Sequence, residues 1–363
     1  MTQTRIVSEM AQQHEAPRKI AVFRALQLGD MLCAVPALRA LRAAAPQARI
    51  TLVGLPWASS FVKRFSHYID DLLVFPGFPG FPEQPAHLTA IPNFLAEAQR
   101  RRFSLAIQMH GSGGLSNPFT VLLGAERNAG CFLKGQYCPD PARFMPWDDN
   151  DHEVLRHLRL MRFLGAEAQG EHLEFPLSEA DFRASQRCHA QLPPPGSYVC
   201  IHPGARMPSR RWQPRRFAEV ADRLAASGLK VVLTGSPAEA DVVRSVQSEM
   251  RMPALDLCGR TELGALAALI AQARLVVSND TGISHIAAAV ATPSVIVCCG
   301  SDPRRWAPLD AMRHRVVSAA VDCRPCMHLE CPVGHRCAQE VSADTVATLA
   351  ARLLTHHSNG LPT

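Results

Sequence analysis

A short polar turn in the second half of the chain, Asn-Asp-Thr-Gly at 279–282, carries residue types suited to binding an anion. An apolar β-branched run precedes the turn and an alanine-rich run follows it, a pattern that predicts strand, turn and helix. The first N–H groups of a helix have no partner within the helix, and its dipole favours negative charge there. The turn is therefore a candidate diphosphate site, although a plain helix cap with a glycine for close packing fits the same residues.

Other residues with phosphate chemistry follow the ends of neighbouring predicted strands. Gly235 comes directly after one strand, and Arg210 and Arg211 lie in the loop after another. Arginine suits a diphosphate because its planar guanidinium offers two parallel N–H groups. The alternative is that both arginines are solvated loop charges. His285, three residues after the turn, is expected either to face the same helix end or to pack inward.

Alternating strands and helices must position these residues. The second half has predicted strands at 198–202, 230–234, 275–278 and 294–298, and the first half has strands at 19–24, 48–54 and 103–109. Such alternation predicts an α/β protein of two Rossmann-like, doubly wound halves facing each other across a cleft. Only one glycine, Gly29, precedes the first helix, so the Gly-x-Gly-x-x-Gly fingerprint of an NAD enzyme is missing.

Prolines mark the predicted domain boundaries. We predict a disordered tail over 1–17, a first domain over 18–192, a second over 197–340, and a final helix and tail over 341–363. The Leu-Pro-Pro-Pro-Gly segment at 192–196 is the expected linker, since three prolines cannot continue a helix or a central strand. A second proline-rich segment, 76–92, is expected to be a long, partly exposed loop that lines a substrate cleft.

The composition is that of a globular protein with a mild positive charge. Of 363 residues, 47% are hydrophobic and 19% charged, and the net charge of +6 suits nucleotides, phosphorylated glycolipids or a membrane surface. The charge is too dispersed to favour nucleic acid. The polar first residues lack the apolar core of a signal peptide, and no run approaches a spanning length, so we expect a cytoplasmic protein.

Two clusters of side chains are candidates for metal binding. Twelve cysteines without a secretion signal imply reduced thiols, and four of them form a C-x2-C-x4-C-x5-C pattern, namely Cys323, Cys326, Cys331 and Cys337. This spacing is compatible with zinc or an iron–sulfur cluster, but free or redox-active thiols are favoured because zinc ligand pairs usually lie farther apart. The acidic run at 148–151 suits Mg²⁺ less well than it suits the start of a helix.

Four sequence blocks together resemble glycosyltransferase family 9, the ADP-heptose:lipopolysaccharide heptosyltransferases. The blocks are Leu-Gly-Asp-Met-Leu-Cys-Ala-Val-Pro-Ala-Leu at 28–38, His-Pro-Gly-Ala at 202–205 with Arg-Arg-Trp at 210–212, Leu-Thr-Gly-Ser at 233–236, and Ser-Asn-Asp-Thr-Gly-Ile-Ser-His at 278–285. Each is weak singly, but in this order over residues 19–354 they are specific.

The resemblance implies a GT-B fold and an inverting, metal-independent transfer that requires no cofactor. It places Asp30 as the general base of the acceptor domain, where a carboxylate at a helix N-terminus is kept ionised; a plain helix cap fits too. It places the donor sugar nucleotide on Arg210, Asp280, Thr281, Gly282 and His285, with Glu239 near the ribose.

The resemblance also implies partners and a location. The expected reaction moves heptose from ADP-heptose to the inner core of lipopolysaccharide, bound to lipid A, at the cytoplasmic face of the inner membrane. Two alternatives remain. One is a transferase of the same fold that uses another nucleotide sugar or surface glycan. The other is a non-catalytic nucleotide-binding or metal-binding protein built around the cysteine cluster.

Overall fold

A computed structural model describes residues 19–358, so the predicted tail over 1–17 lies outside the described residues. The chain divides into two compact units, Met1–Glu171 and His172–Thr363. In the described part of each unit, parallel strands form a six-stranded sheet. The predicted α/β architecture with two doubly wound sheets is confirmed.

The first unit has the strand order β3-β2-β1-β4-β5-β6, which is the doubly wound order 3-2-1-4-5-6. Its strands are β1 (Lys19–Phe23), β2 (Arg49–Gly54), β3 (Asp71–Val74), β4 (Leu105–Gln108), β5 (Asn128–Phe132) and β6 (Phe144–Pro146). Its helices are α1 (Leu28–Ala44), α2 (Ala58–Arg64), α3 (Ile91–Arg100), α4 (Ser116–Leu122) and α5 (Glu153–Phe163). The central strands read as continuous apolar runs because both faces of a parallel sheet are covered.

The second unit repeats the same order as β9-β8-β7-β10-β11-β12. Its strands are β7 (Tyr198–His202), β8 (Lys230–Leu233), β9 (Ala254–Asp256), β10 (Leu275–Asn279), β11 (Ser294–Val297) and β12 (His314–Val317). Its helices are α6 (Glu179–Arg187), α7 (Pro214–Ala226), α8 (Ala240–Glu249), α9 (Leu263–Ala271), α10 (Gly282–Ala289), α11 (Pro303–Trp306), α12 (Arg336–Gln339) and α13 (Ala343–Ser358). No helix in the described ranges is long and apolar enough to cross a membrane.

The division between the units falls before the proline segment at 192–196 that we expected to be the linker. Helix α6 precedes those prolines but packs against α9 of the second unit. Glu171 is therefore the last residue of the first unit. The final helix α13, predicted at 342–354, packs on α7 and contributes Val346 and Leu353 to the core of the second unit.

The proline-rich segment 76–92 has neither helix nor strand before α3 begins, as its prolines predict. Its phenylalanines are not solvent-facing, however. Phe81 packs against Phe23, Phe75 and Phe119 with ring centroids 5.6 to 5.8 Å apart. This aromatic cluster fixes the segment to the end of β1, while Leu88 stays largely exposed. Its predicted role in lining a substrate cleft stays a prediction.

Candidate functional site

The switch point of the second sheet lies between β7 and β10, where helices change from one face of the sheet to the other. These strands pair in parallel, with His202 opposite Ser278. The loop that follows β7 and the 279–282 turn that follows β10 therefore leave the sheet side by side. Ligands of doubly wound proteins bind at this position, so the expected phosphate turn occupies the ordinary binding edge of its unit.

Asn279, the last residue of β10, holds three segments together at this edge. Its fully buried side chain accepts a hydrogen bond from the Trp212 main-chain N–H (2.9 Å) and donates to the carbonyl oxygens of Pro203 (2.7 Å) and Gly204 (3.3 Å). Asn279 belongs to the predicted turn but is not among the site residues predicted from the sequence. Its partners lie about seventy residues away in the chain, so no local pattern reveals the role.

The turn itself presents unused donors. Thr281 is the extended N-cap residue of α10, with φ −150° and ψ −177°, and Gly282 is the first helical residue. The Thr281 hydroxyl oxygen is buried and has no hydrogen-bond partner among the residues that the structure describes. A buried hydroxyl without a partner is costly unless a ligand or water completes it. The turn can therefore accept an anion through main-chain N–H groups and this hydroxyl.

Asp280 lies on the side of the turn that faces β11. Its main-chain N–H donates to the Val297 carbonyl oxygen (3.1 Å), and its carboxylate lies 4.0 Å from the Cys298 sulfur. Asp280 therefore joins the turn to the end of the neighbouring strand. Its predicted contact with the donor stays a prediction.

The two candidate arginines differ in their partners. Arg211 Nε donates to the carbonyl oxygen of Ala205 (2.8 Å), so this side chain fastens its own loop. Arg210 Nε is buried, and the described residues offer it no hydrogen-bond partner. The Arg210 stem lies beside Gly300, in the loop after β11. Of the two, Arg210 is the one whose buried Nε–H has no acceptor among the described residues.

Glu239 lies against the loop that follows β7. Its carboxylate accepts hydrogen bonds from the Ser236 N–H and hydroxyl, both at 2.8 Å, in a capping box. A Cβ atom on Gly204 would lie 2.2 Å from Glu239 Oε1, so a side chain at 204 would force the Glu239 carboxylate to move. His202 Nε2 is 3.8 Å from the same carboxylate, and burial lowers the pKa of His202 although Glu239 opposes the shift. Glu239 is thus held at the binding edge.

Gly235 and His285 have structural explanations. A Cβ atom on Gly235 would lie 3.0 Å from both Cys258 Sγ and Val243 Cγ2, so this glycine lets the loop approach α8 closely. His285 is buried on α10, with its ring 6.4 Å from that of Trp306 in an edge-on contact. The inward-packing alternative for His285 is therefore the one that the structure supports. Whether either residue also contacts a ligand stays a prediction.

The four clustered cysteines line a cavity of about 370 Å³ with Cys299, Arg324 and His328. All are free thiols, ranging from exposed Cys323 to buried Cys337. A hydrogen bond from the Cys299 thiol lowers the pKa of Cys337. Across the described residues, no group of three or more His, Cys, Asp or Glu side chains is arranged to hold a metal ion. Whether the cluster holds a zinc ion stays a prediction.

The acidic run at 148–151 has local structural roles. The Asp148 carboxylate accepts from the Asn150 N–H (2.9 Å), which lowers the pKa of Asp148, and Asp151 forms an ion pair with Arg159. The N-cap of α5 is His152, whose Nδ1 accepts from the Val154 N–H, rather than an aspartate. The run prepares the start of α5, as the favoured interpretation predicted.

Asp30 lies at the switch point of the first sheet, where β1 and β4 pair and α1 begins. Its main-chain carbonyl accepts two hydrogen bonds from buried Arg24, through Nε (3.0 Å) and Nη2 (2.7 Å). Arg24 also donates to the Met109 carbonyl at the end of β4 and forms an ion pair with Glu153 Oε1 (3.2 Å). The start of α1 is therefore fixed by a buried charge network, which sequence reasoning missed.

The GT-B fold of glycosyltransferases consists of two doubly wound units, and solved structures with this architecture superimpose on the chain. A family 9 glycosyltransferase from Veillonella parvula superimposes with a TM-score of 0.76 and 20% identity, over 95% of this chain and 99% of that one. The Escherichia coli ADP-heptose lipopolysaccharide heptosyltransferase II gives a TM-score of 0.72 and 20% identity, over 94% and 99%.

The family model "Glycosyltransferase family 9 (heptosyltransferase)" matches residues 142–336, which is more than half of the chain. The chain belongs to this family. Lipooligosaccharide heptosyltransferase 2 of Haemophilus influenzae is 35% identical over 30% of this chain, and lipopolysaccharide heptosyltransferase 3 of Escherichia coli K12 is 31% identical over 43%. The alignments span about a third and just under half of those relatives, respectively. Asp30 lies outside the residues that the family model matches.

Substitution of Asn279 tests the integrity of the binding edge. Asn279→Asp replaces the amide donor with an oxygen that faces the Pro203 and Gly204 carbonyls. We expect the free energy of unfolding of the second unit to fall by about 1–3 kcal/mol, the cost of leaving buried polar groups unsatisfied. Urea unfolding measures this effect, and Asn150→Asp in an exposed turn is the control. Equal transition midpoints for the two variants would contradict the assigned role.

Proposed function

We propose that this protein transfers heptose from ADP-heptose to the inner core of lipopolysaccharide, without a metal ion and with inversion at the anomeric carbon. Membership of family 9 and the heptosyltransferase names of the relatives support the sugar and acceptor. The donor assignment rests on two buried polar atoms at the edge of the second sheet. There the Thr281 hydroxyl and Arg210 Nε are both buried without partners in the described part of the chain, at the start of a helix.

The proposed chemistry is a single displacement. The Asp30 carboxylate accepts the proton of an acceptor hydroxyl as its oxygen bonds to the anomeric carbon of the heptose. The bond between that carbon and the diphosphate oxygen breaks at the same time, and ADP leaves with the electron pair. The N-terminus of α10 and the Arg210 guanidinium stabilise the charge that develops on the departing diphosphate. These groups supply the positive field that a divalent cation provides in other transferases.

The donor and acceptor bind to different units in this proposal. The sugar nucleotide occupies the carboxyl edge of the second sheet, with Glu239 near the ribose, and the acceptor approaches Asp30 on the first unit. A lipid-linked acceptor requires work at a membrane surface, and a net charge of +6 favours an anionic one. We therefore place the enzyme at the cytoplasmic face of the inner membrane, in peripheral contact.

A nucleotide screen tests the donor. A ligand that binds only the folded protein raises its melting temperature, and at a hundred times its Kd it stabilises by about 2.7 kcal/mol. We expect ADP to raise the melting temperature well above the effects of UDP and GDP at equal concentration. Selective stabilisation by UDP or GDP would favour the alternative, a transferase of the same fold that uses another nucleotide sugar.

A transfer assay completes the test. Purified protein, ADP-heptose and a lipid A–core acceptor without heptose should yield ADP and a heptosylated product, in EDTA as well as in buffer. No product from any nucleotide sugar, together with no nucleotide binding, would remove the transferase assignment.

A further inference from the structure

The cysteine-rich loop, residues 323–337, is fastened to the binding edge of the second sheet. The Cys326 N–H donates to the Gly300 carbonyl (2.7 Å) in the loop that follows β11. Ser209, the neighbour of Arg210, donates through its hydroxyl to the His328 carbonyl (2.6 Å) and through its N–H to the Leu329 carbonyl (3.1 Å). His335 Nε2 lies 2.8 Å from the Ser209 carbonyl oxygen. The loop is therefore interlocked with the segment that presents Arg210.

Arg324 is the residue by which this loop reaches the end of β11. Its Nη2 donates to the carbonyl oxygens of Cys298 (3.0 Å) and Cys299 (2.9 Å), the first two residues after that strand. Its Nε is also buried, yet within residues 19–356 nothing accepts a hydrogen bond from it. Two hydrogen bonds to carbonyl oxygens thus fix the guanidinium in place, and a buried N–H donor remains for which the described residues supply no acceptor.

The fixed guanidinium lies one strand away from the phosphate turn. Strands β10 and β11 pair in parallel with Asn279 opposite Val297, so Cys298 is level with Asp280. The Cys298 sulfur is 4.0 Å from an Asp280 carboxylate oxygen. Burial raises the pKa of Cys298 to about 12, and the charges of Arg324 and Arg210 both oppose this rise. The charges of both guanidiniums and of Asp280 therefore act on the same thiol, and Arg324 also contacts the main chain of that residue.

We infer that Arg324 is a second arginine for the donor diphosphate, beside Arg210, and that the cysteine-rich loop holds Arg324 in this position. The inference rests on the proposed function, because it assigns a further ligand to the same nucleotide. A diphosphate offers more acceptor oxygens than one guanidinium and one helix end can satisfy, and arginine pairs with phosphate through charge-assisted hydrogen bonds.

The competing interpretation is that Arg324 only ties the loop to β11. Calorimetric titration of the full-length protein with ADP and with adenosine separates the two. We expect Arg324→Gln to weaken ADP binding about tenfold to a hundredfold, the range for a hydrogen bond to a charged group, and adenosine binding less than about threefold. Arg324→Lys keeps the positive charge but loses the two parallel N–H groups of the guanidinium, so we expect an intermediate affinity for ADP.

Arg336→Gln is the matched control, since Arg336 belongs to the same loop but is exposed and paired with Glu340 (2.7 Å). We expect it to bind ADP as the wild type does. Unchanged ADP affinity in Arg324→Gln would overturn the inference, and so would equal losses for ADP and adenosine, which indicate a loosened loop. A wild-type protein that binds no nucleoside diphosphate would instead defeat the proposed function itself.

Discussion

We expect Asp30→Asn to bind ADP with wild-type affinity and to lose transfer by a factor of about 10²–10⁴, the usual contribution of a general base. Asparagine has the shape of aspartate but cannot take a proton from the acceptor hydroxyl. The Arg24 hydrogen bonds reach the main-chain carbonyl at position 30 rather than its side chain, so the substitution leaves them in place. The start of α1 should therefore keep its conformation.

The measurement is the turnover of ADP-heptose with a saturating acceptor, together with the Kd of ADP. Glu126→Gln is the control, because Glu126 is an exposed carboxylate of the same unit. Asp30→Glu should recover part of the activity, since a longer side chain still presents a base. Turnover of Asp30→Asn within a few-fold of the wild type would show that another group accepts the proton.

The central strands of both units could be predicted because they are buried on two faces. The strands β1, β7 and β10 are short apolar runs followed by polar or glycine-containing turns. The structure confirms that each of them is a strand. Five strands have no counterpart in the prediction, namely β3, β5, β6, β9 and β12. Among them, β5 and β9 have the sequences Asn-Ala-Gly-Cys-Phe and Ala-Leu-Asp, which carry little strand signal. Their pairing with an existing edge, rather than their own propensity, makes them strands.

The features that could not be predicted from the sequence depend on contacts between residues far apart in the chain. The 279–282 turn was identified from its local pattern, but its support by Asn279 requires partners on two other loops. The cysteine spacing gives no reason to select Arg324, because its contact with Cys298 forms only when the folded chain brings residues 26 positions apart together. The boundary at Glu171 likewise depends on where α6 packs. Patterns of a few residues locate a turn, whereas the fold decides which side chains surround it.

A large loss of stability is expected when the buried ion pairs of Arg24, Glu153 and Arg156 are broken, next to the start of α1. The Glu153 carboxylate is almost fully buried and forms ion pairs with two buried guanidiniums, those of Arg24 and Arg156. It also lies 3.1 Å from His157 Nε2, and burial lowers the pKa of His157 to about 4. His157 therefore stays neutral at pH 7. In these contacts, Glu153 is the negatively charged partner of both arginines.

We expect Glu153→Ala to reduce the free energy of unfolding of the first unit by about 3–5 kcal/mol, the cost of leaving a buried charge unpaired. The change should also be visible in fluorescence, because the Arg156 guanidinium lies 3.8 Å from the centroid of the Trp147 ring. Urea titration followed by tryptophan emission measures both, and Glu219→Ala, which breaks an exposed pair with Arg215, should unfold like the wild type.

A second substitution at Glu153 separates stability from catalysis. Glu153 holds Arg24, and Arg24 holds the Asp30 carbonyl, so loss of the carboxylate frees the start of α1. Glu153→Gln keeps the hydrogen-bonding shape, and we expect it to remain folded at 25 °C with a reduced turnover. ADP affinity should be unchanged in this variant, because the proposed nucleotide site lies in the second unit. If Glu153→Gln kept full turnover, the network would stabilise the unit without positioning Asp30.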